Sequence, residues 1–143
     1  MKRKLNSQVV DTLNRILEME LAGAVHYTHY SFMVYGYNRI PIVKWLEEQA
    51  TESMSHARTA GEMVTLLGAH PSLAIGPLLE THKHSVDDIL GEALEHEQKG
   101  LDAYRKLLEQ VRDRSIMLEE FAREMIAAEE MHTAETRKMM RRS

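Results

Sequence analysis

Only three prolines interrupt these 143 residues, at positions 41, 71 and 77, and two of them share one short stretch. Proline inside a helix removes a hydrogen-bond donor and clashes with the preceding turn, so the long proline-free runs are where helices can form. Apolar residues in those runs recur at three- and four-residue spacing, and alternating strand patterns are nearly absent. The spacing predicts four helices. Helix A runs from about Asn6 to Tyr37, with Asn38 ending it in the left-handed conformation. Pro41 fits the first turn of helix B, which continues to about Gly68. The stretch "GAHPSLAIGPLLETHKH" has two prolines, two glycines and no helical period, and reads as a connector of roughly 15 residues. "SVDD", 85 to 88, has the form of a capping box and opens helix C, which reaches about Arg112. Ser115 is placed to cap helix D, which runs almost to the end.

Two short connections and one long one set the topology. A–B and C–D are expected to be antiparallel hairpins, with the connector carrying the chain along the bundle between B and C. The expected fold is therefore all-α: a single antiparallel four-helix bundle over residues 1–143, with a long crossover between the second and third helices. The net charge of −4 offers no general attraction to nucleic acid or anionic lipid. No apolar run approaches the ~20 residues that span a bilayer, and none follows "MKRK" to make a signal peptide, so the cytoplasm is the expected location. With no cysteine, disulfides, thiolate catalysis and iron–sulfur clusters are excluded. Any metal must be held by carboxylates and imidazoles, of which there are 22 and 8.

Those groups stand in unexpected places. In "ELAGAVHY", Glu20 lies on the helix A face that also carries Leu13, Ile16 and Tyr27. Helix C repeats the arrangement in "EQKGLDAY": Glu97, then Gly100 three on and Tyr104 seven on. Seven residues are two turns, so each tyrosine shares its glutamate's face, and each glycine permits a close approach. Helix D has "EEMH", whose Glu129 and His132 project together, and helix B has "ESMSH", with His56 on the stripe of Leu46, Gln49 and Ala60. Glu20 and His56 are 36 residues apart and Glu97 and His132 are 35, which fits an internal duplication. One such glutamate is ordinarily at a stripe edge with its head in water, and one such histidine is ordinarily structural. Several acids converging in a core are different, because each unpaired buried charge costs several kcal/mol and like charges add to that cost. Two divalent cations remove the problem, so the constellation points to a dinuclear metal site.

By these motifs the chain resembles, over nearly its whole length, the bacterioferritins of the ferritin-like di-iron carboxylate family. The resemblance implies Glu20 and Glu97 as lone ligands, Glu129 with His132 as a Glu-x-x-His pair, and His56 as the histidine of the other pair. It sets Glu20 and His56 as terminal ligands on opposite metals and Glu97 and Glu129 as ligands or bridges. Tyr27 matches the tyrosine beside the metals, and Tyr104 is similar to a second tyrosine of rubrerythrins. The implied activity is that of a ferroxidase: binding of iron(II) and its oxidation by oxygen or peroxide, for iron storage or detoxification. Glu20, Tyr27, Glu97 and Glu129 carry that activity.

Two features depart from the family. Ser53 stands where a second bridging glutamate belongs; the nearest acid, Glu52, is expected to serve as a metal ligand in its stead, the alternative being that it faces elsewhere with Glu48 one turn earlier. The chain also stops soon after helix D, without the short fifth helix that helps close a bacterioferritin shell. Met54 points off the bundle beside Glu47 and Thr51; the resemblance implies a haem b ligand there, shared with a twofold mate. A homo-oligomer of at least two chains is expected, and a larger shell would have to close without that fifth helix. The alternatives are a rubrerythrin-like peroxide reductase, whose usual four-cysteine electron module is missing, and a non-catalytic ferritin-like assembly protein with weakened iron chemistry.

Overall fold

The computed structural model describes residues 2–140 and contains, in order, α1 (Lys2–Met33), α2 (Arg39–Leu66), α3 (Val86–Val111) and α4 (Ile116–Met140). No strand occurs among the described residues. Helix α1 packs against α2 and α3, and α3 packs against α4, which is the expected pair of hairpins joined across the bundle.

The ends of the helices follow local chemistry. Ser85 caps α3, its hydroxyl oxygen accepting the Asp88 N–H at 3.0 Å, and Ser115 does the same for the Leu118 N–H of α4. Pro41 lies in the first turn of α2, where its missing N–H costs nothing. The first hairpin differs from expectation. Helix α1 ends at Met33, and the left-handed residue is Gly36 (φ 102°); Asn38 has φ −92° and precedes α2. Glycine takes that conformation without a Cβ penalty. Arg39 then donates to the Ser31 and Val34 carbonyls, satisfying acceptors that the shortened helix leaves open. At its far end, α2 stops where Gly68 turns left-handed (φ 75°) and Ala69 N–H reaches the Val64 carbonyl.

Residues 67–84 form no helix and run along α1 as a strap. Ser72 N–H donates to Asn14 Oδ1, Gly76 N–H to the Glu18 carbonyl and Leu79 N–H to His26 Nε2. Gly76 is required by proximity: a Cβ there would stand 3.0 Å from the Glu18 carbonyl oxygen. Further along, Thr81 donates through both its N–H and its hydroxyl to the buried carboxylate of Glu92, whose other oxygen accepts from Tyr30.

The apolar core is divided. One cluster gathers Val9, Leu13, Ile16, Ala57, Val64, Tyr104, Leu107, Phe121 and Met125; a second holds Tyr27, Tyr30, Val34, Leu46, Ile89 and Ala93. On α1, α2 and α3 the residues between the clusters are those around Glu20, Ser53 and Glu97. The bundle therefore carries a polar layer between two apolar ones.

Candidate metal centre

Each helix sends its polar residue into this layer because the residue sits on the apolar stripe, where the 3.6-residue period directs it inward. The structure brings together Glu20 from α1, His56 from α2, Glu97 from α3, and Glu129 with His132 from α4. They form two groups, each able to offer ligand atoms to one ion: Glu20, His56 and Glu129 in one, Glu97, Glu129 and His132 in the other. Glu129 belongs to both. Glu20 and His56 therefore stand in the same group, His56 Nδ1 lying 2.8 Å from Glu20 Oε2, which differs from their expected placement on opposite metals. His132 Nδ1 lies 3.2 Å from Glu97 Oε1.

The layer is polar, buried and incompletely paired. Both oxygens of Glu97 lack a hydrogen bond, as do His132 Nε2 and the Tyr27 hydroxyl. Burial, reinforced by the carboxylates of Glu129 and Glu20, pushes the Glu97 carboxyl up to about 9. Burial and Glu20 push Glu129 up to about 8, against the opposing pull of His56. Burial works to lower the His56 pKa, but Glu20, Glu129 and Glu52 outweigh it and the net shift is upward. Burial holds His132 low. Without a cation, the layer keeps protons on groups that are ordinarily charged at neutral pH. A divalent ion would displace those protons and supply the missing partners together.

Tyr104 donates from its hydroxyl to Glu20 Oε2 at 2.9 Å, orienting that carboxylate. Tyr27 lies in the lining of the same narrow cavity, its ring centroid 6.3 Å from that of His132. Gly23 admits two side chains to α1: a Cβ there would lie 3.0 Å from Ser53 Oγ and 3.4 Å from His96 Nε2. Gly100, its counterpart on α3, faces open space and borders the cavity.

Glu52 lines this cavity at its edge, whereas Met54 lies outside it. The Glu52 side chain is 53% exposed, with Oε1 3.7 Å from His56 Nε2, and it joins neither three-residue group. Ser53 itself is buried. Met54 is 38% exposed on the outer surface, over an apolar floor of Leu17, Leu21 and Ala57 flanked by Arg58 and Glu62. Two histidines escape the stripe pattern. His96 precedes Glu97, borders the cavity and lies 3.0 Å from the Met19 carbonyl, while His26 precedes Tyr27 and anchors the strap. Their adjacency to stripe residues is the only trace they leave in the sequence.

The model of the ferritin-like domain family matches residues 10–142. A ferritin-like, diiron-carboxylate protein of Bacillus anthracis superposes with a TM-score of 0.90 at 22% identity, covering 96% of this chain and 98% of that one. Rhodobacter capsulatus bacterioferritin gives 0.83 at 22% identity, over 94% and 84% of the two chains. The dodecameric thioferritin of Bacteroides fragilis gives 0.84 at 17% identity, over 96% and 92%. No curated protein matches the sequence. Among the described residues, no helix is long and apolar enough to cross a membrane.

Proposed function

The chain belongs to the ferritin-like domain family, and from that premise we propose that it binds iron(II) as substrate within the bundle and oxidises it for iron storage or detoxification. The observation that carries this reading is Glu97, a buried carboxylate with neither oxygen hydrogen-bonded, beside two carboxylate–imidazole groups that share Glu129. Oxygen-rich ligation favours iron(III) over iron(II), and imidazole discriminates against magnesium and calcium. Two iron(II) ions give up two electrons to one molecule of oxygen or peroxide.

In this reading Glu20, His56 and Glu129 hold one ion and Glu97, Glu129 and His132 the other, with Glu129 between them. Glu97 and Glu129 release their protons as iron enters. Tyr104 keeps Glu20 aimed at the layer, and the Tyr27 hydroxyl, free of any partner, is available to a ligand oxygen or as an electron donor. The relatives' names support the choice of metal, since one is a diiron-carboxylate protein and another a bacterioferritin. Assembly into a homo-oligomer of at least two chains belongs to the same reading. Val25 and Met54 remain exposed outside the bundle, and one structural relative is dodecameric. The same reading extends to haem b beside Met54, where Leu17, Leu21 and Ala57 would form one side of a slot completed by a second copy, with Arg58, Glu62 and Thr65 also lining it.

The test is stopped-flow oxidation of iron(II) by oxygen or by peroxide. Glu129→Ala removes the shared ligand and is expected to abolish the rapid phase; an unchanged rate in a folded variant would refute the assignment. Stoichiometric uptake without oxidation in the unmutated protein would favour the non-catalytic assembly reading, for which the serine at position 53 is the motive.

A further inference from the structure

A second cluster of metal-ligating side chains lies outside the bundle, where the strap meets α1. His29 Nε2 lies 2.9 Å from Glu80 Oε2, and His84 Nε2 lies 3.6 Å from Glu80 Oε1. One ligand atom from each of the three residues falls within 4.8 Å of the others. Ligands about 2.1 Å from a tetrahedral ion stand about 3.4 Å apart, and each of the two separations, one to each oxygen of Glu80, lies within about 0.5 Å of that.

The strap holds these residues in place by means that owe nothing to a metal. Leu79, next to Glu80, is tied to His26 on α1, and Thr81, on its other side, is tied twice to Glu92 on α3. Between Glu80 and His84 the chain turns through His82, a non-glycine residue in the left-handed region at φ 60°. That turn lets the His82 N–H donate to Glu80 Oε1 and returns His84 to the same carboxylate. A left-handed conformation is uncommon for a side-chain-bearing residue and persists where the surroundings impose it. The carboxylate is therefore oriented between the two imidazoles from both sides.

We propose that His29, Glu80 and His84 form a surface site for a divalent transition-metal ion, separate from the polar layer of the bundle. Two imidazole nitrogens and one carboxylate oxygen select zinc, cobalt, nickel, copper or iron(II) over magnesium and calcium. Three protein ligands leave at least one position to water. The ion also staples the strap to α1. The filled site carries one net positive charge, the sum of one dication and one carboxylate.

The test is zinc titration of the untagged full-length protein, with visible spectroscopy of the cobalt(II) form and thermal unfolding alongside. His29→Ala, His84→Ala and Glu80→Gln are each expected to weaken one zinc per chain by at least about 10-fold. They are also expected to lose the matching cobalt(II) d–d absorption and the zinc-dependent rise in Tm. Helix content stays unchanged, because the His29 side chain is 45% exposed and lies outside the core. The same three substitutions made in a Glu97→Gln/Glu129→Gln background separate this site from the layer. The zinc lost in that background belongs to the surface site whether or not the bundle binds metal. Retention of the full zinc stoichiometry, affinity and cobalt(II) spectrum by both His29→Ala and His84→Ala would overturn the proposal. So would displacement of zinc by millimolar magnesium.

Discussion

Helix α3 carries two glutamates five residues apart that are almost equally buried, Glu92 at 6% exposure and Glu97 at 5%. Glu92 accepts three hydrogen bonds, one from Tyr30 and two from Thr81. Glu97 accepts none, and its pKa is pushed far up. Burial alone therefore does not mark a functional carboxylate. The first glutamate is complete as the protein folds and serves to hold the strap. The second is left without a hydrogen bond among other acids and imidazoles, and in the proposed reading an ion from outside the chain completes it.

The two glutamates should differ most in activity. Glu97→Gln keeps the shape but removes the anion, and should lower the rate of iron(II) oxidation by about 100-fold or more, the upper range for losing support at a metal site. Glu92→Gln should leave that rate within about twofold, since none of its partners faces the layer. Equal losses in the two variants would erase the distinction.

Stability should respond in the opposite sense. Glu92→Ala strands the Tyr30 hydroxyl and the Thr81 N–H and is expected to cost about 2–4 kcal/mol, read from urea unfolding of the metal-free protein. Glu97→Gln should cost nothing or stabilise the metal-free protein, because it removes a group that burial and its neighbours disfavour when charged. A Glu97 variant as unstable as the Glu92 one would mean that Glu97 is structural after all.

A third way to sharpen the contrast is pH. Glu97 and Glu129 have folded pKa values raised to about 9 and about 8, so the folded protein retains protons that the unfolded chain gives up. The metal-free protein should therefore lose stability as pH climbs from the ordinary carboxylate range to about 9. A bound divalent ion replaces those protons and should flatten or reverse the slope. Tm measured across this range with and without metal decides it, and a flat metal-free profile would contradict the shifts. On the acid side, burial holds His26 down at about 4 while its Nε2 accepts from Leu79. That contribution is present above the usual histidine range and fades as pH falls through it toward about 4.

The smallest expected effect concerns charge. Two iron(II) ions bring four positive charges, whereas Glu20, Glu97 and Glu129 supply three negative ones, so a fourth anion is favoured in a low-dielectric layer. Glu52 is the nearest acid, but it is half-exposed and 3.7 Å from His56. Glu52→Ala should weaken the second iron by about 3- to 10-fold, a loss on the scale of outer ligand support, and Ser53→Glu should restore it. If neither changes iron stoichiometry in an anaerobic titration, a bound hydroxide completes the balance.

Much of this arrangement is legible in the sequence because its causes are local. Ser85, Ser115 and Pro41 announce helix ends through neighbours within four residues, and the stripe positions of Glu20, His56, Glu97 and Glu129 follow from helical period alone. The turn after α1 is not legible in the same way. Gly36 and Asn38 can each adopt a left-handed conformation, and the choice depends on Arg39 reaching back to α1 carbonyls. The burial of Glu92 is not legible in the sequence, because its partners, Tyr30 and Thr81, come from 62 and 11 residues away. The grouping of His29 with Glu80 and His84 is hidden likewise, since it requires the path of the strap.

That path bears on the order in which the chain assembles. The α1–α2 hairpin closes through a short turn, whereas the strap's anchors to α1 join residues 53 to 58 positions apart. Closing such loops costs entropy before any contact repays it, so the hairpins are positioned to nucleate and the strap to dock late. Interactions absent from the folding transition state act on the unfolding rate. Substitutions at Ser72 or Gly76 should accordingly leave the refolding rate nearly unchanged and shorten the lifetime of the native state. The strap is thus a kinetic latch, whose loss shows first in how quickly the bundle opens.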